Sequence, residues 1–455
     1  MYGEQVLRVR EKLKQAAAAD PNCQVFGARI HQYRLYEPLS QAELMQFEQQ
    51  HGVKLPDAYR VFLTEIGNGG AGPYYGIHPL GKKQVIGLER IHEPSVLRSE
   101  AREDQAAGRM TKLCLDDDID DEAYDEAMAE WCQGLLNIGE QWCGYETMLI
   151  VTGEYRGKVV YLDLDQTRFF FTYEEHFLDW YERWLDETIA GYESAWFGRR
   201  RGGDAQALMK LYHTEREEYT RFEALEGMLK LPSIAPETAD FLVNQYKRGP
   251  ANIPRLALQV LAKMDFDRAD PLIRRTLHSQ DPAARLLGMQ LIKRYMPQGE
   301  RRFMDELLAL LPQELNEEAF RLCSKLLYEA GVEPLPLLIP FFKHPNLEVR
   351  IQAVYLAGKS ADKANYLPDF IRALEDEEVR VQYTALQALG EVTDPGLMEI
   401  YEQLLRKHKT NKDYIRSYIK VRLEEFAFAS LEEVEREIPT ECTHVRGMLK
   451  KIVGL

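Results

Sequence analysis

Only a few places in this sequence combine residue type and spacing in a way that could do chemistry. Gly67, Gly69 and Gly72 spell G-x-G-x-x-G, the pattern whose glycines let a backbone approach a dinucleotide pyrophosphate. That chemistry needs a strand before the loop and a helix after it. Here a helix-forming run comes first and Pro73-Tyr74-Tyr75 follows, so a turn whose glycines supply positive φ is the better match. Gly153-Glu154-Tyr155-Arg156-Gly157-Lys158 imitates a phosphate loop. It lacks one residue between its glycines and carries Val159 where a Ser or Thr must hold magnesium, which favours a hairpin turn.

The acidic run Asp116, Asp117, Asp118, Asp120, Asp121, Glu122, Asp125 and Glu126 raises the question of Ca²⁺ or Mg²⁺. A calcium loop alternates its ligands around a central glycine and closes on a glutamate, and that spacing is absent. Two readings remain open: a solvated acidic segment, or a face for a partner of opposite charge. Tyr74 and Tyr75, with His78, follow the Asn68-Gly69-Gly70 turn and either present aromatics to an interface or cover a small sheet. None of the ten histidines stands in an H-E-x-x-H pair or a triad motif, and no single pair of carboxylates stands out for acid–base work. The expectation is a binding protein with no catalytic residue, no cofactor and no metal, whose candidate contact residues are the eight acids above with Tyr74 and Tyr75.

Composition bounds the partner. At 455 residues the chain is long enough for two or three domains, and 45% hydrophobic with 29% charged residues is ordinary for a folded protein. No long uninterrupted apolar run occurs, and Arg8, Arg10, Lys12 and Lys14 interrupt the first residues, so a cytoplasmic chain without a membrane partner is expected. The six cysteines lie far apart with no C-x-x-C pair, which fits reduced structural thiols. Of the net charge of −16, residues 1–200 hold −13 and the rest −3. Residues 113–155 contain twelve carboxylates and neither Lys nor Arg. Such a surface repels nucleic acid and attracts a basic protein.

The elements that must position these residues fall into two halves. Gly202 and Gly203 read as a flexible joint, placing a linker at 196–204. Beyond it, turns at Gly249-Pro250, Asp281-Pro282, Gln313, His344-Pro345 and Asp376-Glu377 recur every 31 or 32 residues. Val349, Arg350, Ala353, Leu356, Ala357 and Gly358 are answered 32 positions later by Val381, Gln382, Ala385, Ala388, Leu389 and Gly390. A capped turn, a stripe of Ala and Leu that meets a neighbour, and a closing glycine make one helix of a stacked pair. Arg255, Arg350 and Arg380 read as surface or turn-bonding arginines. These segments resemble HEAT repeats, about seven of them over 205–455, with weaker units at Glu217 to Leu229 and Tyr414 to Phe426 as caps.

The first half changes period. After an N-terminal helix (1–24), Ser40 and Glu43 form a capping box, and a second helix runs from Pro56 to Gly67 with Tyr59, Phe62, Leu63 and Ile66 on one face. Gly134 to Ile138, Thr147 to Thr152, Val159 to Leu164 and Arg168 to Thr172 read as an antiparallel meander, followed by a helix burying Phe177, Trp180, Tyr181, Trp184 and Leu185. Leu39 to Glu48, the run Gly52-Val53-Lys54-Leu55-Pro56-Asp57-Ala58-Tyr59-Arg60-Val61-Phe62-Leu63, Asn68-Gly69-Gly70, Leu135 to Gly139 and Gly157 to Asp163 together resemble the SMI1/KNR4 family of the SUKH superfamily. The resemblance implies an α+β domain over 25–195, here with an acidic insertion near 90–130, joined to an all-α solenoid. It also implies a partner: many bacterial SUKH proteins neutralise toxins, often nucleases or deaminases. A regulatory scaffold without a toxin is the alternative. A third reading, a HEAT-like DNA glycosylase or lyase relative, needs a basic concavity that a net of −3 over residues 201–455 does not favour, and no direct nucleic-acid partner is expected.

Overall fold

The computed structural model of the chain describes residues 2–82, 88–97, 111–112, 120–250, 252–333, 335–408 and 414–428. They divide into two compact units, Met1–Asp265 and Phe266–Leu455.

The first unit opens with α1 (Gly3–Ala19), a short α2 (Ala28–His31) and α3 (Gln41–Gln50). At α3 the expected capping box is present: Ser40 Oγ accepts the Glu43 N–H at 3.2 Å, and the Glu43 carboxylate accepts the Ser40 N–H at 2.8 Å. α4 (Asp57–Val61) follows Pro56 and widens into a π-helical turn at Phe62–Ile66, where Leu63 O accepts the Leu39 N–H at 2.9 Å and so holds the incoming loop. Of the three glycines in the dinucleotide-like word only Gly69 has positive φ, +85°, shared with its neighbour Gly70 at +103°; Gly67 is extended. Gly153 and Gly157, at +102° and +99°, frame the turn between two strands. Lys158, the imitation phosphate-loop lysine, is buried and paired with Glu175 at 2.9 Å.

Five antiparallel strands, β1 (Thr111–Lys112), β2 (Leu135–Trp142), β3 (Tyr145–Ile150), β4 (Val159–Asp163) and β5 (Arg168–Phe171), lie in the order β1-β5-β4-β3-β2. Four of them are the expected meander, and β1 adds a short edge beside β5. Both faces of this sheet are buried. Val159 and Tyr161 of β4 join a core with α1, α3 and α4, while Val160 and Leu162 between them join a second core with Trp131, Cys132, Phe169 and Phe171. A strand apolar at successive positions demands a cover on each side. The free edge of β2 is closed by a loop, with the His78 N–H bonded to Ile138 O at 2.8 Å.

The next helix in the meander's wake, Phe177–Ile189, buries the five residues expected of it. Gln5, Arg8 and Lys12 of α1 converge on its Glu182 at 2.8 to 3.1 Å. Burial alone would raise that carboxyl's pKa, but these three donors outweigh it and hold it at about 2. Because the folded value lies below the unfolded one, the stabilisation is whole above the ordinary carboxylate pKa and is lost as pH falls through the range from about 4.5 to about 2. Replacing Glu182 with Gln should therefore flatten that part of the acid-unfolding curve followed by tryptophan fluorescence.

The Gly202-Gly203 pair is not a free joint. It lies inside the first unit, which continues through four helices, Ala205–Thr214, Glu218–Gly227, Pro236–Arg248 and Ile253–Met264. A buried ionic seam spans the pair. Arg183 bonds Glu174, Glu187 at 2.8 Å and the Arg200 carbonyl; Lys230 bonds Glu187 at 2.9 Å and the Arg201 carbonyl. Arg201 in turn pairs with Glu223 at 2.8 Å, and the Tyr173 hydroxyl donates to the same carboxylate at 2.9 Å. Lys230 is 2% exposed, and burial pulls its pKa down to about 8 against the opposing pull of Glu187. Charges buried this completely tie the first repeat helices to the α+β core.

The second unit is a run of helix pairs. Among the described residues it holds five, against two in the first unit. Their periodicity is chemical as well as geometric. Arg285 donates to the Ser279 carbonyl of its own turn at 3.0 Å and pairs with Glu314 of the next at 2.7 Å; Arg350 does the same with His344 O at 2.9 Å and Asp376 at 3.1 Å. Gln382, the residue 32 beyond Arg350, bonds Asp376 O at 2.5 Å and His408 at 2.9 Å. Arg350 is thus turn-bonding, whereas Arg255 and Arg380 are exposed. Gly358 caps its helix in a right-handed conformation, so its need for glycine is space: a Cβ there would overlap Ala388 Cβ and lie 2.7 Å from its Cα. Gly358→Val should destabilise this unit by about 1–3 kcal/mol, read by circular dichroism melting, with partial recovery when Ala388→Gly is added. Among the described residues no helix is long and apolar enough to cross a membrane.

Candidate functional site

The acidic insertion reaches the surface by way of the second core. Its helix, Asp121–Trp131, starts from Asp120, whose side chain accepts the Ala123 N–H at 2.9 Å. Trp131 at the far end is 3% exposed and meets Phe169 at 6.4 Å between ring centroids, with Met128 packed beside it. The anchoring residues face the sheet, so the others face water. Asp120, Asp121, Glu122, Asp125 and Glu126 are all exposed, and among the described residues none is paired with a cation in a salt bridge. Unpaired exposed carboxylates keep their field, and their spacing along one helix sums it. Asp116, Asp117 and Asp118 lie outside the described residues. Among the described residues no group of three or more His, Cys, Asp and Glu is placed to hold a metal ion.

Tyr74 is not an interface residue. It is 6% exposed, adopts φ +57°, and donates its hydroxyl to Phe197 O at 2.7 Å, inside the first core. Its neighbour Tyr75 points differently, because the two successive side chains of this turn part company. Tyr75 is half-buried and lines a cleft of about 840 Å³ beside the Asn68-Gly69-Gly70 turn, with Ile30, Leu35, Tyr36, Arg34 and Lys82. The cleft is shaped by bridges from Gly70 to Leu35 and to Ile77, and by the Asn68 side chain, which accepts the Leu80 N–H at 2.9 Å. His78 at its floor is buried against Asn137 Oδ1 at 2.9 Å.

Ile30 and Tyr36, 66% and 59% exposed, were not among the expected contact residues, nor was Trp142 at 60%. Phe26 links Tyr75 to Trp142: its ring lies 5.5 Å from the first and 6.1 Å from the second. The legible signal was an aromatic at Tyr36 among Arg34, Glu37 and Pro38, just ahead of a capping box, where a core residue has no partner face. Trp142 carried a similar signal at the tip of a hairpin beside Cys143 and Gly144. Exposed acids on one helix and exposed aromatics around one cleft are both protein-contact chemistry.

Comparison with known proteins agrees on the modules. Residues 38–183 match the SMI1 / KNR4 family (SUKH-1), and residues 335–417 match HEAT repeats. No curated protein sequence matches the chain. An X-ray structure of the Escherichia coli protein YibA aligns over 55% of this chain and 93% of its own, at 15% identity and a TM-score of 0.35. The complex of CpcE and CpcF of phycocyanin lyase from Nostoc sp. PCC7120 aligns over 55% and 96%, at 15% identity and a TM-score of 0.27. Scores this low carry no argument about what the chain does. Domains of the SUKH and HEAT kinds are typical protein–protein interaction modules. The chain carries an SMI1/KNR4 (SUKH-1) domain followed by HEAT repeats.

Proposed function

We propose that this chain is a non-catalytic, immunity-type protein that binds and neutralises a basic toxin, of the nuclease or deaminase kind, through the acidic outer face of the helix Asp121–Trp131. The observation that carries the reading is that face: five carboxylates from Asp120 to Glu126, exposed and without a salt-bridge partner among the described residues. An enzyme that acts on nucleic acid presents cations to phosphate, and a helix lined with carboxylates competes for the same cations. Steering by opposite charge raises the association rate, which suits a protein that must capture a toxin before it acts. The SUKH match supports the immunity reading, and HEAT repeats are likewise of a kind typical of protein–protein interaction.

Co-expression tests it. Any toxin domains found encoded beside this gene are produced with and without the chain, and cell survival is scored. Rescue that is lost when Asp121, Glu122, Asp125 and Glu126 become Asn, Gln, Asn and Gln supports the proposal; survival unchanged by the chain, or rescue indifferent to those four residues, refutes it.

A further inference from the structure

Cations in the first unit are largely taken. Arg8 and Lys12 are held by Glu182, Arg60 by Glu48, Lys158 by Glu175, and Arg183 and Lys230 by Glu187. The first 200 residues hold 34 acidic against 21 basic residues; most of the described cations there find a partner, and a few do not. Arg34 and Lys82 are two such, and both line the cleft beside the Asn68-Gly69-Gly70 turn; among the described residues neither side chain has a hydrogen-bond or ion-pair partner. Arg29, on the same short helix as the exposed Ile30, is exposed and equally unpartnered. Two carboxylates also line the cleft. Glu43 is held by the Ser40 N–H and hydroxyl at 2.8 and 2.7 Å and keeps its charge, Glu37 is exposed, and neither forms a salt bridge with Arg34 or Lys82 among the described residues.

Around the free cations stand the exposed apolar groups: Ile30 and Tyr36, then Tyr75, with Phe26 carrying the patch on to Trp142. Rigid aromatic side chains offer large contact area at small entropic cost, and a guanidinium offers a carboxylate a charge-assisted, two-pronged hydrogen bond. Apolar anchors with cations set among them are complementary to a chain that alternates the same two features. We infer that this cleft is a second docking surface, which takes an extended segment of a protein partner carrying a carboxylate side chain between apolar ones. It offers unpartnered cations where the acidic helix offers unpartnered carboxylates, and it does not depend on the toxin reading.

Short random peptides displayed on phage and selected against the full-length chain test this. Enriched peptides should place Asp or Glu between large apolar residues. A synthetic peptide from that pool should bind about tenfold more weakly to Arg34→Glu and to Tyr36→Ala, and with unchanged affinity to the chain neutralised at Asp121, Glu122, Asp125 and Glu126. Both substituted positions are exposed, and Arg34→Gln, the milder change, should weaken binding in the same direction with an unaltered unfolding midpoint. Enrichment of basic peptides, no enrichment, or binding indifferent to Arg34 and Tyr36 overturns the inference. So does self-association of the chain that Tyr36→Ala abolishes, since a second copy would then be the occupant.

Discussion

Replacing Glu187 with Ala should cost the first unit about 3–5 kcal/mol, the loss expected when one partner of a buried ion pair is removed. Glu187 is 5% exposed and serves two cations at once, Arg183 at 2.8 Å and Lys230 at 2.9 Å. Arg183 retains Glu174, but Lys230 is left with the Arg201 carbonyl and the Tyr192 ring at 5.6 Å. Neither neutralises it. The measurement is selective, because all five tryptophans, Trp131, Trp142, Trp180, Trp184 and Trp196, precede Asp265. Urea unfolding followed by their fluorescence reads the first unit alone. Removing Glu11, which pairs with Lys14 at the surface, should change the midpoint by less than about 1 kcal/mol in the same assay. The double exchange Glu187→Leu with Lys230→Met should lose less than Glu187→Ala, since it removes both buried charges together. Equal losses from Glu11→Ala and Glu187→Ala would mean that the seam is solvated and the repeat helices are free of the core.

On the proposed function, neutralising the acidic helix should have a large effect on binding and little on stability. Asp121, Glu122, Asp125 and Glu126 are exposed and form no salt bridge among the described residues, so the fourfold Asn/Gln chain should unfold near the midpoint of the parent. Asp120 is kept because its side chain caps the helix. Against a basic toxin domain the association rate at low salt should fall by about tenfold or more, with a smaller change in dissociation, because rim charges act mainly on encounter. Stopped-flow association kinetics separate the two. A loss confined to the dissociation rate would place these acids in a tight, dehydrated contact instead of a steering face.

Local features of the fold were legible wherever the physics is local. The capping box of Ser40 and Glu43, the strand runs split by glycine, the aromatic face of the helix Phe177–Ile189 and the 32-residue spacing of the repeats are each decided by residues within a few turns of one another. What escaped depends on residues far apart in sequence. Glu187 and Lys230 have no periodic relation that announces a seam across Gly202 and Gly203, so a glycine pair among arginines read as a hinge. Tyr74 read as a possible surface ring until its bond to Phe197, 123 residues later, drew it inward. The role of the acidic insertion as a cover was half legible. Val159 to Leu162 is apolar at every position, which signals a sheet buried on both faces, but nothing local says that Trp131 supplies the cover. Gly358 was read as a helix stop, whereas the close approach of Ala388 is what excludes a side chain.

The proposed capture through opposite charge is tested most directly by titrating inhibition of any basic nuclease toxin domain found encoded beside this gene with the intact chain at rising salt. Inhibition that saturates stoichiometrically, weakens steadily as salt screens the acidic helix, and is blunted by neutralising Asp121, Glu122, Asp125 and Glu126 is the predicted result. Inhibition that is absent, or that persists unchanged across the salt range and in the neutralised chain, would contradict it.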